Sequence, residues 1–204
     1  VSSFGTRPTV SGTEPLLVSM PHVGTYLPPA IAARLTVEAR RVPDTDWHLD
    51  RLYAFAKEMG ASILMATHSR YVVALNRPSD NTSLYPCKSV TSLCPLDTFD
   101  DAPLYLEGMA PDAAEIAARV SAYWHPYHQQ LRAELARLRQ QHGIAMLWDA
   151  HSIRSALPRF FEGKLPDFNL GTADGASCDP ALAGTLLGIA RSIPGHSAVL
   201  NGRF

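Results

Sequence analysis

Two short apolar runs limit what this chain can become. Leu16-Leu17-Val18-Ser19-Met20 stops at Pro21-His22-Val23-Gly24, and Ile144 to Trp148 stops at Asp149-Ala150-His151-Ser152. Runs this short, bounded by turn residues, read as buried strands that open into loops, and the second is the clearer buried strand. Helical patterns lie between and after them. Strands alternating with helices specify an α/β class, with a mixed, mostly parallel sheet flanked by helices. Such sheets bind ligands beyond the carboxyl ends of their strands. Three polar clusters hold that kind of position: Pro21-His22, Leu75-Asn76-Arg77 and Asp149-Ala150-His151.

The rest of the chain fills in around these runs. Pro28-Pro29 opens a short helix from Ala30 to Leu35. Asp44 or Asp46 is placed to cap a further helix, in which Leu49, Leu52, Tyr53, Ala56 and Met59 form one apolar stripe that Gly60 ends. Ala61 to Thr67 and Tyr71 to Leu75 read as strands. Residues 76 to 95, rich in Pro, Ser, Thr and Asn, are a long irregular connection of the kind that is usually functional or mobile. Pro111-Asp112 opens a helical pattern that runs to His142-Gly143, with a break or kink expected at Pro126. A loop-rich stretch covers 153 to 178. Asp179-Pro180 then pairs an N-cap with a proline at the first helical position, for a helix to about Ser192, and Ser197 to Leu200 reads as a last strand.

Composition removes several classes. The chain has 204 residues, 46% of them hydrophobic, enough for a real core. Its formal charge of -1 balances 18 basic against 19 acidic residues, which argues against a nucleic-acid binder and against disorder. No apolar run approaches the roughly 20 residues of a membrane span. Val1 to Val10 carries no charged segment followed by an apolar one, so no secretory signal is read there. Cys87, Cys94 and Cys178 are odd in number and lack C-x-x-C spacing, which points away from a disulfide framework and toward a reducing, cytoplasmic setting.

Histidine suits zinc, and a catalytic zinc commonly keeps three protein ligands and one open position. His22 and His151 each follow a strand, and Asp46 can add an oxygen; Asp44, His48 and Asp50 are rivals in the same segment. The plainer alternative makes both histidines loop residues bonded to backbone. Arg70 and Arg77 flank a strand-like run, and Asn76 adjoins Arg77. An arginine fork with a neutral amide would hold a small anionic substrate, although arginines pair more often with surface carboxylates. Tyr123-Trp124-His125-Pro126-Tyr127-His128 is dense in rings, either for packing or to present His125 and His128 on one face. Ser152 lacks a G-x-S-x-G elbow, and Gly171 to Gly175 lacks the G-K-[ST] of a phosphate loop.

Six stretches, in order over nearly all of the chain, together resemble one family. They are Ser19 to Gly24, Asp44 to Tyr53, Ser69 to Pro78, Tyr123 to His128, Trp148 to Ser152 and Pro166 to Gly175. The family is N-formylglutamate amidohydrolase (N-formylglutamate deformylase), enzymes of histidine degradation. The resemblance implies a zinc-dependent amidase with a fold like those of zinc carboxypeptidases and aspartoacylases. It implies that His22, Asp46 and His151 hold the metal and that Asn76-Arg77 grips a substrate carboxylate, with Arg70 beside them. The implied reaction takes N-formyl-L-glutamate and water to formate and L-glutamate. Rival readings are an amidohydrolase for another N-acyl acidic amino acid and a non-catalytic binder of small acids on the same scaffold.

Two departures stand out. Ala74 occupies the place of an aspartate in the family's Asp-Leu-Asn-Arg pattern. Family members also continue past the equivalent of Phe204, through a Gly-Gly-Tyr-Ile-Thr-Arg-like stretch and a later glutamate that is the candidate general base. The expectation is a single amidohydrolase domain over 1–204 that lacks a C-terminal segment, inactive or impaired if that segment is truly missing, with Ala74 a further source of weakened activity. His128 is the candidate acid–base or supporting residue within the chain.

Overall fold

The structure is a computed structural model, and it describes residues 10–82 and 91–202. The chain divides into two compact units, residues 1–153 and residues 154–204.

The first unit is built on a parallel sheet of order β2-β1-β3, with β1 Leu16–Met20, β2 Ser62–Met65 and β3 Met146–Asp149. Val18 pairs with Ile63 on one side and Trp148 on the other. Alternation along β1 sends its side chains to two different cores. Leu17 packs with Leu64, Val120, Tyr127 and Leu138, whereas Val18 and Met20 pack with Leu49, Ala56 and Ala150. Ser19 is on the Leu17 side and Trp148 on the Val18 side. Both faces are therefore covered, as a parallel sheet requires.

The helices are α1 Pro29–Ala32, α2 Leu49–Leu52, α3 Phe55–Glu58, α4 Ala113–Arg119 and α5 His125–His142, with a 3-10 turn at Ala39–Arg41. Asp112 caps α4 by accepting from the Glu115 amide, and Gly143, in the left-handed region at φ 74°, ends α5. Five residues of π-helix, Val120–Trp124, join α4 to α5. Pro126 therefore does not break the path. It sits in the first turn of α5, directly after the π-helical turn.

Several sequence expectations are corrected here. The helix expected after Asp46 is two short pieces, α2 and α3. Of its apolar stripe, Leu49 and Ala56 are buried while Leu52 and Met59 are exposed. Neither Asp44 nor Asp46 caps it, because His48 stands at that position with φ 62°. Tyr71 to Leu75 is buried but is not a strand. Its polar backbone is satisfied by side chains and loops instead. Arg119 donates to the Val72 carbonyl at 3.1 Å, and the Ala74 amide donates to Leu93 at 2.7 Å. In β3, the expected buried strand, Met146 and Leu147 are exposed, because β3 pairs only with β1 among the described residues.

The second unit holds α6 Pro180–Arg191 and a parallel pair, β4 Phe168–Leu170 with β5 Ala198–Leu200. Asp179 caps α6 through the amides of Ala181 and Leu182. Gly171 to Gly175 is a loop in which Thr172 bonds Asn201, not a helix-capped phosphate cradle. Among the described residues, no helix is long and apolar enough to cross a membrane. Residues 83–90 of the long connection, Cys87 among them, lie outside the described residues, as does the stretch Val1 to Thr9.

Candidate active site at the carboxyl ends of β1 and β3

The chain leaves β1 at Met20 and turns at once, which places His22 against the strand end with only 1% of its surface exposed. The His22 carbonyl accepts from the Asp46 amide at 3.0 Å, so the loop carrying Asp46 is stitched to the β1 turn. Gly24 makes this turn possible, since a β-carbon there would lie 2.3 Å from the His68 carbonyl oxygen. The chain leaves β3 at Asp149 and delivers His151. The three residues that converge thus come from just beyond two strand ends and from one loop, which a backbone hydrogen bond ties to the β1 turn.

His22, Asp46 and His151 each offer one ligand atom, and those atoms lie within 4.8 Å of one another. The Asp46 carboxylate Oδ2 lies 3.1 Å from His151 Nδ1 and also accepts the Ser152 amide at 3.1 Å. Ser152 thus contributes its amide here. Asp149 Oδ2 faces the other ring nitrogen, Nε2, at 3.1 Å. Burial works against charge on His151, yet the Asp149 and Asp46 carboxylates outweigh it and push its pKa up to about 9. His22 is opposite in character. Burial, with Arg70, His151 and Arg77 nearby, holds it well below the ordinary histidine value, so it is a neutral imidazole. Its Nε2 is buried with no hydrogen-bond partner among the described residues.

An orphaned imidazole nitrogen costs free energy unless something binds it. The set fits a divalent cation: two imidazoles and a carboxylate are a borderline-soft donor set of the kind zinc takes. The rivals are elsewhere. Asp44 accepts from the Tyr71 hydroxyl at 2.7 Å and from the Phe99 amide at 2.9 Å, while His48 and Asp50 are exposed.

The basic residues surround this cluster. Arg70 is buried, its guanidinium 4.6 Å from the Phe99 ring centroid, with Nε unpartnered among the described residues. Burial pulls its pKa down against the pull of Asp46 and Asp44. Asn76 and Arg77 line a cavity of about 390 Å³ with Ser19, Trp124, His128 and Asp149. Asn76 Oδ1 is also buried without a hydrogen-bond partner among the described residues. His128 Nε2 donates to the Leu75 carbonyl at 2.9 Å. His125 is exposed and packs edge-on to Trp124. Ala74 is fully buried beneath this segment.

Sequence reasoning grouped His22, Asp46 and His151, and the structure brings them together. It missed the pairing of Ser19 and Asp149, which are register partners across β1 and β3, with Ser19 Oγ donating to Asp149 Oδ1 at 2.6 Å. Only their shared alternation phase on neighbouring strands signals it.

The fold and site together define an α/β protein with a polar, cation-compatible cluster at the carboxyl edge of a parallel sheet. Residues 14–204 match the family described as N-formylglutamate amidohydrolase. The N-formylglutamate deformylase of Pseudomonas aeruginosa PAO1 is 58% identical over 193 residues, covering 95% of this chain and 72% of that protein. That of Pseudomonas putida is 53% identical over the same shares. The crystal structure of N-formylglutamate amidohydrolase from Ralstonia eutropha JMP134 superposes with a TM-score of 0.78 at 26% identity, covering 98% of this chain and 76% of that one. A gene product of Agrobacterium tumefaciens shares the fold, with a TM-score of 0.68 at 17% identity over 97% and 73% of the two chains. The chain belongs to the N-formylglutamate amidohydrolase family.

Proposed function

We propose that this chain hydrolyses N-formyl-L-glutamate to formate and L-glutamate, as a metal-dependent amidohydrolase of histidine degradation. The observation that carries the chemistry is the convergence of His22, Asp46 and His151 within 4.8 Å. The substrate follows from the relatives named N-formylglutamate deformylase.

His22, Asp46 and His151 would hold the ion, zinc or another divalent transition metal. Bound there, it supplies Lewis-acid polarisation of an amide carbonyl and makes water more acidic. The protein's own residues bind and orient. Arg77 and Asn76, at the cavity wall, grip a substrate carboxylate, and buried Arg70 adds positive potential close to His22. The formyl group is small and needs little room beyond the cluster. His128 keeps the Leu75 carbonyl, and with it the Asn76-Arg77 segment, in place, and its Nδ1 is the atom available to move a proton. Candidate ligands placed two residues beyond the ends of β1 and β3 support kinship with zinc carboxypeptidases and aspartoacylases. Free Cys94 and Cys178 support a reducing, cytoplasmic setting.

Metal analysis of the full chain, with assays before and after chelation, tests this reading. One divalent ion per chain and loss of deformylation on chelation are expected, with activity restored by zinc. Formyl, acetyl and succinyl glutamate compared side by side test the substrate. A folded chain that binds no divalent ion, or binds glutamate tightly and turns over none of the three, overturns it.

A further inference from the structure

His151 has a carboxylate on each ring nitrogen, Asp46 on Nδ1 and Asp149 on Nε2. The two carboxylates differ in what holds them. Asp149 Oδ1 accepts from Ser19 Oγ at 2.6 Å, and Ser19 Oγ lies 2.8 Å from the Tyr127 hydroxyl. Ser19 and Tyr127 are 1% and 2% exposed, so water does not compete for their bonds, although Asp149 itself is partly open.

The direction of this chain follows from its donors. A carboxylate only accepts, so the one Ser19 hydroxyl proton points to Asp149. Tyr127 must then donate to Ser19. Asp149 Oδ2 likewise accepts from His151 Nε2, and Asp46 Oδ2 faces Nδ1 in the same way; a cation among His22, Asp46 and His151 would take the Nδ1 side and leave the one ring proton on Nε2, held by Asp149. Three elements fix the arrangement: Ser19 on β1, its register partner Asp149 on β3, and Tyr127 on α5 over the same face of the sheet.

We infer that Asp149, aligned by Ser19 and Tyr127, is a positioning residue that keeps the His151 proton on Nε2 and turns the Nδ1 lone pair toward Asp46 and His22. A ligand histidine whose other nitrogen donates to a carboxylate has its tautomer and ring orientation set, and loss of such a partner typically weakens metal binding roughly 10–100-fold. The inference rests on the cation reading above and names a device that the reading does not contain.

Equilibrium titration of the full chain with zinc against a chelator of known affinity, at fixed pH, gives the test. Asp149→Ala is expected to bind one zinc per chain about 10–100-fold more weakly than the parent. Asp149→Asn, which keeps the shape and one acceptor, should recover part of that loss, and Tyr127→Phe should weaken binding by a smaller factor. Nitrogen NMR of the zinc-loaded parent should show His151 liganded through Nδ1 and protonated at Nε2. This spectrum decides the matter even if a variant fails to fold. Equal affinity of parent and Asp149→Ala, or ligation through Nε2, overturns this inference alone. A folded parent that binds no zinc overturns the cation reading and this inference with it.

Discussion

His128 donates its Nε2 proton to the carbonyl oxygen of Leu75 at 2.9 Å, while its ring stacks on Trp124 with centroids 3.8 Å apart. Trp124 in turn donates its indole N–H to the Arg77 carbonyl at 2.8 Å. Two rings one helical turn apart therefore pin both ends of the segment that carries Asn76 and Arg77. His128→Phe keeps the stack and removes the donor. A lost hydrogen bond of about 1 kcal/mol should raise KM by roughly fivefold. Steady-state kinetics separate the two roles of His128, because a proton-transfer role would instead lower kcat by about 10²–10⁴.

Arg77→Ala should act on binding. Charged hydrogen bonds contribute about 1.5–3 kcal/mol, so KM for the formylated substrate should rise about 10–100-fold with a smaller change in kcat. An unchanged KM would falsify the carboxylate-binding role. His151→Ala has a different signature, the joint loss of metal and turnover.

Glu115 predicts an acid limb in stability. The Arg34 and Arg119 guanidinium groups hold its carboxyl down to about 2, with burial opposing. An unfolded glutamate titrates near 4.3. The folded value is depressed, so the stabilisation is full above about pH 4.3 and is lost as pH falls toward 2. Chemical denaturation as a function of pH should show this slope in the parent, and Glu115→Gln should flatten it in that window.

Arg119 is buried and bonded to Glu115, to the Tyr105 hydroxyl and to the Tyr71 and Val72 carbonyls. Arg119→Met leaves those acceptors without a donor and should cost about 3 kcal/mol or more. The thermal midpoint should fall by roughly 6–12 °C, readable by calorimetry.

Gly24→Ala should disturb the His22 turn, because the new methyl would meet the His68 backbone at 2.3 Å. The expected result is a lower thermal midpoint together with weaker metal retention, measured by calorimetry and by metal analysis after dialysis.

Where local chemistry decides, the sequence was legible. β1 falls on Leu16–Met20 as its apolar run and following proline indicate, and Asp179-Pro180 starts α6. Gly60, at φ 78°, and Gly143 end their segments as read. The convergence of His22, Asp46 and His151 was foreshadowed by two histidines placed after strands and, for Asp46, by family resemblance. Failures came where distant partners decide. Val72 and Val73 have every local reason to be a strand, but Arg119, far along the chain, takes the Val72 carbonyl. Leu147 looks like core by its neighbours, yet it lines the cavity. β4 is three residues long and exists through its pairing with β5. Ser19 and Asp149 meet only once the register is set.

The π-helical turn at Val120–Trp124 also acts as a phase shifter. Each residue of an α-helix advances the azimuth by about 100°, so one residue more or less before α5 would rotate that whole helix about its axis. Tyr127 would swing away from Ser19, and His128 from Leu75. Deleting one residue of this turn would leave a longer, more regular helix and a dismantled site: here the irregular turn of the helix is the part that aims it.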